Sequence, residues 1–302
     1  MTDHAHGHAA GADVPRLGVA LGLILMSMIV ETVAGVASGS LALLADAGHL
    51  LTDAAALAVS IAAVRLASRP AHGAWTFGWK RAEILSAAAN GITLLVIGAL
   101  VLLEAIRRLL HPAPVAGLPV LLVALFGVGV TIAATMVLRG ADRSSLNIEG
   151  SFQHLLTDVY GFLATLIAGV VILLTGFRRA DSMASLVVVA LMLRAAWGLL
   201  RDSGRVLLEA APEGVDLADL RAHLMETPHV TDVHDLHAWT VTSDLPALSA
   251  HVVVTDACFS SGHCPQILDQ LQDCLTGHFD VEHSTFQLEP AGHSAHELGA
   301  HP

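Results

Sequence analysis

The chain has 302 residues, of which 54% are hydrophobic and 14% are charged, and its formal net charge is −12 at pH 7. This composition and a mean hydropathy of +0.65 predict a polytopic membrane protein, provided that the apolar residues are clustered. The acidic balance argues against nucleic acid as a partner and favours cations.

The first 15 residues carry His4, His6 and His8 in polar, Ala- and Gly-rich surroundings. This composition predicts a disordered tail. Two interpretations of the three histidines stay open: they collect metal ions loosely, or they belong to a solvated tail without a function. The segment has neither a basic start nor a small-residue cleavage site, so we predict no cleaved signal peptide.

Six apolar segments follow, each close to the ~20 residues that a helix needs to cross a bilayer. They occupy approximately residues 17–37, 41–64, 84–106, 115–138, 148–175 and 182–200. With both chain ends in the cytosol, nine basic residues of the connections lie inside and only Arg107, Arg108, Arg178 and Arg179 lie outside, as the positive-inside rule favours. We therefore predict a six-helix transmembrane domain over residues 16–208, with cytosolic termini.

Two of these segments carry the same pattern, His-x-x-x-Asp: His49 with Asp53 in the second, and His154 with Asp158 in the fifth. On a helix, residues i and i+4 lie on one face with Cβ atoms about 5–6 Å apart. If helices 2 and 5 pack side by side, two imidazoles and two carboxylates converge. Structural hydrogen bonding between helices is the alternative, but ionisable groups in lipid are rarely kept without a function, and the duplication favours a metal site.

Two nitrogens and two oxygens suit a tetrahedral Zn²⁺ ion. Mg²⁺ and Ca²⁺ prefer more oxygens and Cu(I) prefers sulfur, whereas Cd²⁺, Co²⁺ and Ni²⁺ stay open. Zinc requires neutral His and ionised Asp, so protons compete with it, and this predicts exchange of metal for protons. Asp46 and Asn147 either line a polar path to the site or solvate helix ends, and Glu31 has no assigned role.

From residue 209 onward the composition changes abruptly, to 15 acidic residues and one basic residue, Arg221. We predict a small cytosolic α+β domain over residues 209–290 and a flexible tail over 291–302. The predicted elements are a helix at 216–226, strands at 230–241 and 248–255, a helix at 265–275 and a strand at 281–288. The three cysteines, Cys258, Cys264 and Cys274, all lie here, so we predict no disulfide framework, and a role in metal binding stays open.

Several longer motifs resemble those of the cation diffusion facilitators, specifically their zinc-transporting branch. They are residues 40–49 (SLALLADAGH), 77–83 (FGWKRAE), 154–158 (HLLTD) and 233–239 (VHDLHAW), and the resemblance covers nearly all of residues 16–290. It implies a homodimer with six crossings and a cytosolic metallochaperone-like domain in each subunit. It also implies zinc/proton antiport that removes zinc from the cytosol, for resistance or homeostasis. Short loops and a single lysine, Lys80, favour a bacterial inner membrane.

The resemblance carries the transport ligands onto His49, Asp53, His154 and Asp158. It carries a second, cytosolic zinc site onto His234, His251, His283 and Glu289, with His237 as the competitor for His234. Because the two cytosolic domains are strongly acidic, they repel each other, and divalent cations between them would draw the dimer together.

Two features depart from many zinc-branch relatives. Residues 139–147, between helices 4 and 5, contain no histidine, and the connection between helices 2 and 3 has only His72, so a metal site there is doubtful. Two rivals from other classes are disfavoured, because four protein ligands would close the coordination of the metal and because two buried ligand pairs exceed what an anchor needs. An intramembrane zinc enzyme needs an open coordination position and usually a Glu base, and the chain has no His-Glu-x-x-His. The second rival is a metal receptor whose membrane part is only an anchor.

Overall fold

The computed structural model describes residues 10–67, 69–139, 146–242, 245–279, 281 and 283–293. The histidines of the N-terminal tail and all residues after 293 lie outside these ranges. Within the helices, the structure describes only the backbone at several residues, which include Asp53 and His154.

Six long helices form the first two thirds of the described chain. They are α1 (Ala10–Ser38), α2 (Leu41–Ala67), α3 (Ala82–Leu110), α4 (Gly117–Arg139), α5 (Leu146–Thr175) and α6 (Arg179–Leu207). Each predicted crossing corresponds to one of them. The helix α4 begins two residues later than predicted, at Gly117. The residue before it, Ala116, instead donates its backbone N–H to the Ser38 carbonyl at 3.0 Å.

Three of these helices are long and apolar enough to cross a membrane within the described side chains. They are Ala82–Leu110, Asp158–Thr175 and Arg179–Leu207. The apolar stretches of the other three, as far as their side chains are described, are the shorter Leu25–Ser38, Leu41–Thr52 and Gly117–Ala133.

The described chain divides into two compact units. One comprises residues up to Ile61 together with Ala87–Leu200, and the other comprises Ala62–Ser86 together with residues from Arg201 onward. The connection between α2 and α3 therefore belongs to the same unit as the strands described below.

In the first unit, Asp181 fixes the start of α2. One of its carboxylate oxygens accepts from the Ser40 hydroxyl, and the other accepts from the Leu41 backbone N–H at 2.7 Å. The first amides of a helix have no partner within it and carry the positive end of the helix dipole, so a carboxylate there stabilises the helix. This buried contact between α6 and the start of α2 holds the helix two turns before His49.

The helices α4 and α5 approach closely at glycines. A Cβ atom on Gly169 would lie 2.8 Å from the backbone nitrogen of Leu121, and one on Gly117 would lie 3.0 Å from the backbone nitrogen of Leu173. Small residues let helix backbones come together in membranes, where van der Waals packing replaces the hydrophobic effect. These glycines therefore set the position of α5, the helix that carries Asp158.

The second unit contains a small α+β module. Its elements are α7 (Leu217–Met225), β1 (Val230–Thr240), β2 (Pro246–Val254), α8 (Ala257–Ser261), α9 (Cys264–His278) and β3 (His283–Glu289). The strands form one sheet in the order β1-β2-β3, with β1 antiparallel and β3 parallel to β2. The predicted helix-strand-strand-helix-strand order is confirmed. The five-residue α8 was not predicted, because so short a helix shows no apolar period.

One face of the sheet packs on α7 and α9. The fully buried members of this core are Leu220, Leu224, Val233, Leu248, Ala250, Val252, Val254, Cys258, Ile267, Leu271, Leu275 and Val281. Since successive side chains of a strand point to opposite faces, Val233 and Val252 in the core place His234 and His251 on the other face. The core thus determines which residues can form a site on the open face.

Candidate metal sites

The structure brings His49 of α2 and Asp158 of α5 together. The His49 Nε2 atom lies 3.6 Å from Asp158 Oδ1, and each residue is only 6% exposed. Asp53 and His154 lie on the same two helices, one turn away from these residues, but their side chains are outside the described ones. An imidazole and a carboxylate buried side by side between two helices are suited to binding a divalent cation.

Two further carboxyl groups lie near this pair. Asp46, one turn before His49, is 3% exposed and faces α5, where a Cβ atom on Gly161 would be 3.4 Å from Asp46 Oδ1. Glu31 of α1 is completely buried and accepts a hydrogen bond from Ser27 Oγ at 2.6 Å. Asp46 is therefore buried between helices rather than solvated at a helix end. Glu31 stands alone in an apolar segment, so no sequence pattern indicated its place here.

A second group of ligands lies on the open face of the sheet. His234 of β1 is directly paired with His251 of β2, and Glu289 lies on β3. One ligand atom from each of the three lies within 4.8 Å of the others. His251 Nδ1 is 2.9 Å from Glu289 Oε1, and His234 Nε2 is 3.6 Å from Glu289 Oε2.

The surroundings of the Glu289 carboxylate are compatible with a bound cation. Glu289 is 1% exposed, and its Oε1 also accepts from Gln287 Nε2 at 2.8 Å. Its Oε2 is buried and receives no hydrogen bond. An unsatisfied buried carboxylate oxygen is unfavourable, and a cation held between two imidazoles would satisfy it. Two nitrogens and one oxygen are a common partial ligand set for zinc.

The other two histidines predicted for this site are not members of the three-residue group. His283, the first residue of β3, is exposed, and its ring meets the edge of Phe77 with centroids 5.7 Å apart. His237 is also exposed and lines a cavity of about 710 Å³ together with Trp75 and Trp239. Among the described residues, the three-residue group contains His234 and neither of these two.

Comparison with known proteins places the chain in a family. Residues 17–208 match the family model of the cation efflux transmembrane domain, and residues 212–291 match that of the cytoplasmic domain of cation efflux proteins. The chain belongs to the cation efflux family. This assignment confirms the predicted resemblance, the predicted fold class with its transmembrane and cytoplasmic parts, and the prediction of a transporter rather than an enzyme. Members of this family export divalent metals such as zinc, cadmium and cobalt.

Full-length relatives in this family include bacterial metal exporters. The chain is 40% identical to the zinc transporter ZitB of Escherichia coli over 95% of this chain and 92% of the relative. It is 38% identical to the cadmium, cobalt and zinc/H⁺-K⁺ antiporter of Bacillus velezensis over 96% of this chain and 93% of the relative. It is 36% identical to the metal cation efflux system protein CzcD of Cupriavidus metallidurans over 95% of this chain and 90% of the relative.

One solved structure that resembles the chain is the metal-bound C-terminal domain of the CzcD transporter from the last of these organisms. It is 37% identical, covers 25% of this chain and 99% of that domain, and has a TM-score of 0.22.

Proposed function

We propose that this cation efflux protein exports Zn²⁺ from the cytosol in exchange for protons, across a bacterial inner membrane, with both termini in the cytosol. The observation that carries the proposal is the buried contact between His49 Nε2 and Asp158 Oδ1, 3.6 Å apart on two different helices. The names of the full-length relatives, which include a zinc transporter and a cadmium, cobalt and zinc/H⁺-K⁺ antiporter, support the substrate and the exchange.

The transport site comprises His49, Asp53, His154 and Asp158. His49 and Asp158 already meet, and helical spacing directs Asp53 and His154 to the same faces of α2 and α5. Four such ligands form the tetrahedral N₂O₂ set that zinc accepts. Cd²⁺, Co²⁺ and Ni²⁺ are further candidate substrates with the same ligand preferences.

Proton exchange follows from the chemistry of these ligands. Zinc needs both imidazoles neutral and both carboxylates ionised, so metal and protons displace each other. Export of two charges against an inside-negative potential costs about 4.6 kcal/mol per 100 mV, and the return of one proton halves that. Competition at one set of ligands therefore couples the two movements.

The cytosolic module regulates a homodimer by binding metal at His234, His251 and Glu289, with His283 as the remaining member predicted by resemblance. Dimer formation is supported by the match of residues 212–291 to a cytoplasmic-domain family named for dimerisation. From residue 209 onward the chain has 15 acidic side chains and one basic side chain. Two such modules therefore repel each other, and bound divalent cations reduce that repulsion. We place the boundaries of the two domains at residues 16–208 and 209–290.

Zinc flux into proteoliposomes tests this function. We expect wild-type protein to transport zinc faster when a pH gradient drives protons the opposite way. The Asp158→Asn variant, which keeps the shape of the side chain and removes its charge, should reduce flux to the level of protein-free vesicles. Asp202→Asn is the matched control, because Asp202 of α6 is exposed, and it should transport like wild type.

Two results would contradict the proposal. Zinc flux that does not change with an imposed pH gradient would contradict proton exchange. Wild-type flux in Asp158→Asn would contradict the proposed transport site. Zinc binding without any flux in the wild type would favour a receptor with a membrane anchor.

A further inference from the structure

The strand β1 contains a bulge next to the cytosolic metal ligands. His234 pairs with His251 and His237 pairs with Ser249, so three steps along β1 match two steps along β2, and the register shifts between them. Asp235, inside this bulge, has φ of 48°. That left-handed conformation is unfavourable for most residues, and Gly, Asn and Asp tolerate it best. Bulges often occur beside functional sites, where they redirect a side chain.

The bulge brings Asp235 to the same histidine that His234 contacts. In a regular strand, neighbouring side chains point to opposite faces. Here the His234 and His251 rings have centroids 5.3 Å apart, and Asp235 Oδ2 also lies 3.8 Å from His251 Nε2. The other carboxylate oxygen, Oδ1, lies 3.1 Å from His237 Nε2. One carboxylate therefore lies between two imidazoles, only one of which belongs to the group of metal ligands.

The two nitrogens of His251 have different neighbours. Its Nδ1 faces Glu289 Oε1 at 2.9 Å, on the side of the ligand group, whereas its Nε2 faces Asp235. The 3.8 Å separation is longer than a hydrogen bond, but it places a carboxylate beside the second nitrogen. Histidines that bind metals almost always donate their other ring N–H to a carboxylate, a carbonyl or a water, which fixes the tautomer and the ring orientation.

We propose that Asp235 is a positioning residue for the cytosolic metal site: it retains the proton on His251 Nε2, so that His251 offers Nδ1 to a divalent cation shared with His234 and Glu289. The inference rests on the proposed metal binding by this module. It explains why an aspartate occupies a bulge position in the left-handed region, where glycine would be less strained.

Zinc affinity of the purified full-length protein, measured by competition with a chromophoric chelator, tests this role. A His49→Ala, Asp158→Asn background removes the contribution of the transport site. In that background, Asp235→Asn and Asp235→Gly should each weaken zinc binding about 10–100-fold. Asp232→Asn, on the same strand, is the control, because Asp232 pairs with Arg221 at 2.6 Å instead, and it should bind zinc normally.

Asp235→Gly separates positioning from a structural role. Glycine suits the left-handed backbone better than aspartate, so this variant should unfold at the same temperature as its parent or at a higher one while binding zinc more weakly. In ¹⁵N-histidine NMR spectra, the zinc-dependent shift of His251 should fall on Nδ1, with the signal assigned by its loss in His251→Gln.

The outcomes distinguish the two levels of the proposal. If His234→Ala binds zinc as tightly as its parent, the module has no metal site there and the proposed regulation is wrong. If His234→Ala loses binding while either Asp235 variant keeps it, or if zinc shifts His251 Nε2, the metal site stands and the role of Asp235 is overturned.

Discussion

The two candidate metal sites have different scaffolds. The membrane site uses two helices, and the spacing of four residues puts each pair of ligands on one face whatever the rest of the fold does. The cytosolic site takes one residue from each of three strands, so only the sheet register brings His234, His251 and Glu289 together. A site between helices can open when the helices move, because its ligands divide between them, whereas a site across a hydrogen-bonded sheet keeps its ligands together.

This difference suits two tasks. Transport requires a site that forms and then releases its ion, and His49 and Asp158 are buried on separate helices. Regulation requires a site that reports the cytosolic metal concentration, and the side chains of His234 and His251 are 11% and 22% exposed.

The largest expected effect distinguishes the two sites directly. His49→Ala removes one proposed transport ligand and should reduce zinc flux on the order of 100-fold or more, since even mutation of residues that only orient metal ligands lowers metal affinity or activity 10–100-fold. His234→Ala should retain the maximal flux and need more zinc to reach half of it. Flux in proteoliposomes over a series of zinc concentrations measures both. Equal loss of maximal flux in the two variants would show that the sites do not differ in task.

The helix α9 packs under the sheet that carries the candidate cytosolic site. Leu271 of α9 is fully buried under the sheet, and Leu271→Ala should destabilise the module by about 2–5 kcal/mol, through lost burial and a cavity. Thermal unfolding followed by circular dichroism measures this. Leu217→Ala, at a position that is 38% exposed, is the matched control and should change stability little. If both variants unfold alike, the face packed on α7 and α9 does not stabilise the sheet.

Close packing of α4 on α5 positions the helix that carries Asp158. Gly169→Ala puts a Cβ atom 2.8 Å from the backbone of Leu121, so α4 and α5 must separate, and overpacking of this kind costs about 1–3 kcal/mol. We expect a lower unfolding temperature and a lower zinc flux. Gly129→Ala, in α4 with open space at its Cβ position, should be neutral or slightly stabilising because alanine favours helices. Unchanged stability in Gly169→Ala would mean that the helices adapt at this point.

The sequence indicates the candidate membrane site more directly than the candidate cytosolic site for a physical reason. The period of an α-helix relates His49 to Asp53 and His154 to Asp158 within single segments, and only the pairing of the two helices is non-local. The six helices follow likewise from apolar length. No comparable local rule indicates that Glu31 lies buried near Asp46, because an isolated polar residue in an apolar segment has no period.

In the cytosolic module, the elements were predictable and their details were not. The run Val-His-Asp-Leu-His has two polar residues between its apolar ones, which interrupts the alternation of a regular strand, but the position of the bulge at Asp235 depends on the register with β2. The contact of His283 with Phe77 joins residues far apart in sequence. Such contacts arise from tertiary packing, which a single sequence does not display.

The smallest expected effect concerns sulfur, which neither site uses among the described residues. Burial raises the pKa of the Cys274 thiol, and the nearby Glu226 carboxylate raises it further. The thiolate is the form that binds metal and reacts with alkylating agents, so at neutral pH this thiol is mostly protonated, and its reactivity should increase only at higher pH than that of a free cysteine. Cys274→Ser should therefore change zinc affinity by less than about twofold. Iodoacetamide labelling at a series of pH values measures this reactivity, and mass spectrometry identifies the labelled cysteine. If Cys274 were labelled rapidly at pH 7 and zinc prevented the labelling, Cys274 would instead be a metal ligand.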